Sequence, residues 1–177
     1  MTEPTPIDLD SLDEVVELTT ALVEAYREAA RVMLDRFYDD DDRLNAVIIR
    51  NDEEIAALLL WQKPTEQMRN SYDNLRDATE YGAYAVAFAV VYAADEYVVK
   101  KRAHHGSGSD FLMVEEGETD EQFVRLEVSG VGQGESRLVS RLRNKVRQLE
   151  EGNLRRPGVA AVVGFEAATV LLEDCPL

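Results

Sequence analysis

The chain has one cysteine, two histidines, four lysines and one tryptophan among its 177 residues. The lone Cys175 excludes an internal disulfide framework and any cysteine-rich zinc site. His104 and His105 are neighbours, and two histidines cannot build a three-histidine metal cage within one chain. A surplus of basic residues is also missing: acids outnumber bases 35 to 19, a formal net charge of −16. That balance excludes a protein whose whole surface clamps nucleic acid or an anionic membrane. Long apolar runs are absent too. The longest, Tyr81 to Ala94, is fourteen residues interrupted only by Gly82. It is too short to span a bilayer as a helix and reads as a buried core helix. The N-terminal MTEPTPIDLD is acidic where a secretory signal would be basic and then apolar. A cytoplasmic protein with no membrane association is expected.

What is present describes an ordinary globular chain, 45% apolar and 31% charged. The length fits one domain with a core that needs no staple. Its charge is unevenly spread. Residues 1–60 carry 16 acids and five bases, whereas residues 137–156 carry seven bases (Arg137, Arg141, Arg143, Lys145, Arg147, Arg155, Arg156) and two acids. A smaller basic knot, Lys100-Lys101-Arg102, precedes the histidine pair. Two readings of the strip stand side by side. Either it pairs with the acidic N-terminal part, or it faces phosphate.

Hydrophobic periodicity divides the chain into an N-terminal helical region, residues 1–63, and a mixed part, residues 64–177. In the first, Ser11-Leu12-Asp13-Glu14 reads as a capping box. Apolar residues then recur at helical spacing from Leu12 through Val15, Val23, Tyr26, Ala30, Met33 and Leu34 to Phe37. Asp39 to Asp42 follow as a solvated acidic loop, without the spaced ligands and turn glycine of a calcium loop. A short strand, Ala46 to Ile49, leads into a second helix from Asn51, which Pro64 closes. The mixed part begins with a helix from about Thr65 to Glu96, with a bend at Gly82. Strands follow at Tyr97 to Ala103, Asp110 to Glu115 and Gln122 to Ser129, separated by the Gly106–Ser109 and Gly117–Asp120 turns. A helix from Glu135 to Glu151 stops at Gly152-Asn153. Val159 to Phe165 reads as a buried strand, and Ala168 to Leu172 as strand or helix. The expected fold is therefore α/β (α+β), with a mixed central sheet and αβββαβ order after the N-terminal region.

That order, with Asp110 opening the second strand, Glu127-Val128-Ser129 on the third and Glu80 on the first helix, resembles the core of the PD-(D/E)xK, or restriction-endonuclease-like, nuclease superfamily. The blocks Gly108–Phe111 and Leu126–Gly130 are also similar to an uncharacterised bacterial family. The superfamily resemblance implies a divalent metal, Mg or Mn, on Asp110 and Glu127, with Glu80 as a further ligand. It implies a lysine where this chain has Ser129. In the superfamily another element can supply that lysine, and Lys145 on the following helix is the nearest in sequence. Gln148 lies one turn further on.

The residues support a site in their own right. Side chains alternate along a strand, so Phe123, Arg125, Glu127 and Ser129 share one face and Val124, Leu126 and Val128 the other. A glutamate in a central strand must be compensated, by Arg125, by a lysine or by a metal, because burying its charge alone costs several kcal/mol. In a hairpin Asp110 and Glu127 converge, and a divalent cation relieves their repulsion. Lys100, Lys101, Arg102, Arg137 and Arg141 are the candidate nucleic-acid contacts. Gly130-Val131-Gly132-Gln133-Gly134 has the wrong spacing for a dinucleotide loop and is expected to turn its amides toward an anion at the helix start. His104 and His105 read as an exposed loop pair, and Tyr81, Tyr84, Phe88 and Tyr92 as core. Two functions follow. One is a metal-dependent nuclease or nuclease-like nucleic-acid-binding protein with Asp110, Glu127, Ser129 and Lys145 as the working residues. The alternative is a non-catalytic interaction protein whose acidic N-terminal helices, within residues 12–37, pair in a homo-oligomer or with a partner.

Overall fold

A computed structural model describes residues 3–38 and 42–176. Its eight strands form one mixed sheet and its helices cover both faces. β1 (Thr5–Asp8) leads through a 3-10 turn, Leu9–Glu14, to α1 (Thr20–Phe37). Next come β2 (Arg43–Arg50), β3 (Glu53–Leu60), α2 (Glu66–Ser71), α3 (Leu75–Asp95), β4 (Tyr97–Arg102), β5 (Phe111–Glu115), β6 (Val124–Val131), α4 (Arg137–Glu151), β7 (Gly158–Gly164) and β8 (Thr169–Cys175). The helix–strand–strand–strand–helix–strand order expected for the mixed part is present as α3-β4-β5-β6-α4-β7.

The N-terminal region departs from its helical reading. The segment after Asn51 is strand β3, because Asn51 and Asp52 adopt φ of 47° and 70° and turn the chain back on itself. Two successive positive φ values make the tight hairpin turn that matches strand twist, and asparagine tolerates them well. Ile55, Ala57 and Leu59 then point inward with a period of two. Ser11 does not cap a long helix. Asp8 caps the 3-10 turn by accepting from the Asp10 amide at 2.9 Å, and α1 starts only at Thr20. Leu9 and Leu12 lie three apart, stack on one side of that turn and are fully buried. Of the acidic run, Asp39 to Asp41 lie outside the described residues, and Asp42 pairs with Arg43.

The strand order is β1-β3-β2-β8-β7-β6-β5-β4, parallel at β1/β3, β2/β8 and β6/β7 and antiparallel elsewhere. Strands from both sides of residue 63 therefore share one sheet. β1 is one edge. Eight residues later Val16 pairs with Val99 of β4, the other edge, through Glu17 N to Val99 O at 2.8 Å. The N-terminal segment thus links the two edges of a sheet curled around α3.

α1 and α3 cross on the inner face. Gly82 does not interrupt α3. It allows close approach, since a Cβ at that position would meet the Ala30 Cα at 3.1 Å. The helix breaks earlier, at 72–74, between α2 and α3. Tyr26 and Phe111 meet the stacked rings of Tyr84 and Phe88 edge-on at the centre, with the Phe88 and Phe111 centroids 4.7 Å apart. Tyr81, by contrast, is 40% exposed. The apolar stripe of α1 is buried within the molecule, with Val23, Tyr26, Ala30, Met33 and Leu34 all in the core, so it does not form an open dimer face. α4 covers β6, β7 and β8 on the outer face. None of the helices is long and apolar enough to cross a membrane, among the described residues.

Candidate functional site

Antiparallel pairing of β5 with β6, in the register Phe111 opposite Leu126, brings Asp110 beside Glu127. The Asp110 amide donates to the Leu126 carbonyl at 3.0 Å, and its Oδ2 accepts from the Val128 amide at 2.9 Å. The backbone of β6 therefore fixes the carboxylate in place. Val124, Leu126 and Val128 face the α1–α3 core, and Arg125 and Glu127 face α4, as alternation requires.

Arg125 does not compensate Glu127. It lies buried and donates to three carbonyls, of Arg156 at 2.9 Å, Ser107 at 3.3 Å and Leu149 at 2.6 Å. The partner is Lys145, whose Nζ lies 2.6 Å from Glu127 Oε1. α4 presents this lysine from its inward side, because Leu138, Leu142, Lys145 and Leu149 recur at helical spacing. Leu138 and Leu149 are buried, and Leu142 packs against both outer-face clusters. Glu127 itself is only 4% exposed. Burial, then repulsion from Asp110, pushes its pKa up to about 7 against the opposing pull of Lys145.

A cleft of about 460 Å³ opens beside Lys145 between α3 and α4, and Glu80, Asp110, Ser129, Arg141 and Lys145 all line it. Its depth depends on a glycine: a Cβ on Gly130 would lie 2.4 Å from the Thr79 carbonyl oxygen, so only glycine lets α3 sit this close to β6. On the other side of Asp110 a cavity of about 550 Å³ is lined by Glu127, Gln148 and the exposed His104 and His105. Asp110 lies on both walls.

Glu80 is in the cleft but committed: its Oε1 accepts from the Tyr84 hydroxyl at 3.1 Å. Burial and the nearby Asp110 and Glu80 charges hold that hydroxyl's pKa above its ordinary value. Among the described residues no group of three or more His, Cys, Asp or Glu side chains is gathered as a metal cage. The Gly130–Gly134 loop does meet a carboxylate, the chain's own Glu166, whose Oε2 accepts from the Gly134 amide at 3.0 Å.

The basic candidates separate into two groups. Arg141 lines the cleft, and Arg137 lines its continuation. The knot on β4 is tied into the fold instead. Lys100 pairs with Glu17, Lys101 lies over the Phe123 ring at 4.5 Å, and Arg102 donates to the Tyr26 hydroxyl at 3.1 Å while stacking on Phe111. A strand at a sheet edge lays its long side chains along its neighbours, which turns these charges away from the cleft. Only Arg102 reaches the His104–His105 cavity. Among the described residues, the acids of the N-terminal part pair with Arg27, Arg31, Arg43, Arg69 and Lys100, not with the 137–156 strip. Sequence reading missed Tyr84 and Arg76 as cleft residues. Nothing in the local pattern marks them, since the first turn of α3 meets β6 only through tertiary packing.

No protein-family model, curated protein or solved structure matches this chain.

Proposed function

We propose that this protein is a divalent-metal-dependent nuclease. The observation that carries the reading is the Asp110–Glu127–Lys145 group, in which Asp110 and Lys145 line an arginine-bearing cleft and Glu127 faces the cavity on the other side of Asp110. Two repelling carboxylates, one with its pKa raised to about 7, form an oxygen donor set that a divalent cation would relieve. Mg²⁺ and Mn²⁺ suit such a set, because Mg²⁺ is typically held by one or two carboxylates and keeps several waters. Asp110 and Glu127 would hold the ion, with Glu80 across the cleft. When bound, the metal would supply charge stabilisation at the scissile phosphate and a water of lowered pKa.

The chain's own residues do the rest. The Val128 amide fixes the Asp110 carboxylate. Lys145 stands in for the lysine absent at position 129, holding a positive charge beside Glu127 from a different element. The Ser129 hydroxyl can donate to a phosphate oxygen but cannot replace that charge. Arg141 and Arg137 hold phosphates by charge-assisted hydrogen bonds.

Thermal unfolding with and without millimolar Mn²⁺, on wild type and on Asp110→Ala/Glu127→Ala, tests the reading. A rise of melting temperature confined to the wild type, together with cleavage of a labelled oligonucleotide, supports it. No rise in the wild type overturns it. One observation favours a second reading, a non-catalytic nuclease-like interaction protein: the Lys145–Glu127 pair already balances its own charges. That reading expects no metal response and no cleavage.

A further inference from the structure

The cleft does not end at Arg141. A second hollow of about 310 Å³ continues it and shares Leu75, Thr79, Gly130 and Arg141 with the first. Together they make one groove between α3 and α4, floored by the end of β6. Arg76 from α3 and Arg141 from α4 stand on its first stretch, and Arg36 from α1 and Arg137 from α4 on its second. All four are exposed. Their guanidinium groups pair with no described residue, although acids outnumber bases 35 to 19 in this chain. Arg27, Arg31, Arg50 and Arg69 each hold a carboxylate. Four arginines that hold no described carboxylate are thus gathered along one groove. Unpaired like charges repel one another, and that arrangement becomes favourable when a polyanion neutralises them.

The other side of Asp110 has a different character. The cavity there carries Glu127 and Glu151, and its one arginine, Arg102, is bound to Tyr26. The groove thus gathers four arginines on one side of Asp110, against the single Arg102 on the other.

We infer that Arg36 and Arg76, with Arg137 and Arg141, form a phosphate track, and that a single nucleic-acid strand is gripped along the α3–α4 groove on one side of the scissile bond. The inference deepens the nuclease reading and rests on it for the position of that bond. The grip itself is independent of metal and of cleavage. No base-edge donors are needed, so the strand is held through its backbone whatever its sequence.

The test is equilibrium binding of a fluorescent twelve-nucleotide single-stranded DNA, in EDTA, across a salt series. Four proteins are compared: wild type, Arg36→Gln/Arg76→Gln, Arg143→Gln/Arg155→Gln on the same basic strip outside the groove, and His104→Ala/His105→Ala on the far side. Melting temperatures establish that each is folded. Each phosphate contact on a single strand contributes about −0.7 to the slope of log K against log salt, so the groove pair should flatten it by ~1.4. At 50 mM salt the groove pair should bind at least tenfold more weakly than wild type, and the two control pairs within twofold of it. Equal losses in the groove and control pairs, an unchanged groove pair, or no wild-type binding at low salt each overturn the track. If binding follows the groove but the wild type neither binds Mn²⁺ nor cleaves, the nuclease reading fails and the track stands.

Discussion

The Glu127 carboxylate on β6 accepts from Lys145 on α4 at 2.6 Å, joining the sheet to its outer helix beside the cleft. Breaking a buried pair by removing one partner commonly costs 3–5 kcal/mol, because the other charge is stranded. Here the loss is capped. With a pKa of about 7, Glu127 can escape by taking a proton, and at pH 8 that costs about 1.4 kcal/mol. Lys145→Met keeps most of the stem packing, so it should destabilise by about 1–1.5 kcal/mol at pH 8. The loss should shrink below pH 7. Urea unfolding of both proteins at pH 8 and pH 6 measures it, and a loss larger at pH 6 would contradict the account.

The same raised pKa makes wild-type stability depend on pH in an identifiable window. Glu127 is lifted from 4.5 to about 7, so between those values the folded state holds the proton that the unfolded chain releases. Stability from this group is full below 4.5 and is lost as pH rises toward 7. Glu127→Gln lacks that loss. Its stability relative to wild type should therefore increase from pH 4.5 to pH 7 and then level off, with ~3 kcal/mol as a ceiling. Paired urea titrations across that range give the difference directly, and a flat difference would refute the raised pKa.

Metal binding should follow the same titration in the opposite sense. A divalent ion needs Glu127 ionised, so protons compete with it below pH 7. At 100 times its dissociation constant a bound ion adds about 2.7 kcal/mol. The Mn²⁺-induced rise in melting temperature should be largest at pH 8, clearly smaller at pH 6, and absent at both in Asp110→Ala/Glu127→Ala. A rise in the double variant would place the ion elsewhere.

Much of this site can be read in the sequence, and the reason is local. Asp110 beside a glycine-serine turn and Glu127 among alternating apolar residues need only the hairpin register to meet, and two strands with a turn between them specify that register. Lys145 is also visible, as a cation at the inward position of an amphipathic helix. Arg36 and Arg76 are not, because their place depends on how α1 and α3 pack, which no short pattern encodes. The misread Asn51 has a different cause. Asn-x-x-Glu serves as a helix start, yet Asn-Asp also makes a tight hairpin turn, and the alternation of Ile55, Ala57 and Leu59 with a sheet partner on each side decides for strand. The Lys100–Arg102 knot shows the limit of counting charge, since edge-strand packing turns each of those side chains to another use.

Arg125 tests how the floor of the site is held. Its buried guanidinium joins the carbonyl of Ser107, in the turn before Asp110, to that of Leu149 at the end of α4 and that of Arg156 before β7. Arg125→Met removes the donors and leaves buried carbonyls unpaired, at roughly 1–3 kcal/mol for each unsatisfied group. A loss of about 3 kcal/mol in urea unfolding is expected, with faster amide exchange in residues 107–110. A loss below 1 kcal/mol would mean that water replaces the arginine.

Gly130 gives the sharpest steric prediction. An alanine Cβ there would stand 2.4 Å from the Thr79 carbonyl oxygen and 2.7 Å from its Cγ2, both fixed on α3. Neither neighbour is the far end of a flexible side chain, so α3 must move away from β6. Overpacking of this kind costs about 1–3 kcal/mol. Because α3 carries Arg76 and Glu80 while β6 carries Val128 and Ser129, the same shift moves one wall of the cleft away from its floor. Gly130→Ala should therefore lose oligonucleotide affinity as well as stability. Gly82→Ala, whose Cβ would meet the Ala30 backbone of α1 at a milder 3.1 Å, should lose stability alone. Denaturation and binding measured on both variants separate the effects. If Gly130→Ala bound as tightly as wild type after its loss of stability, the α3–β6 spacing would not set the width of the groove.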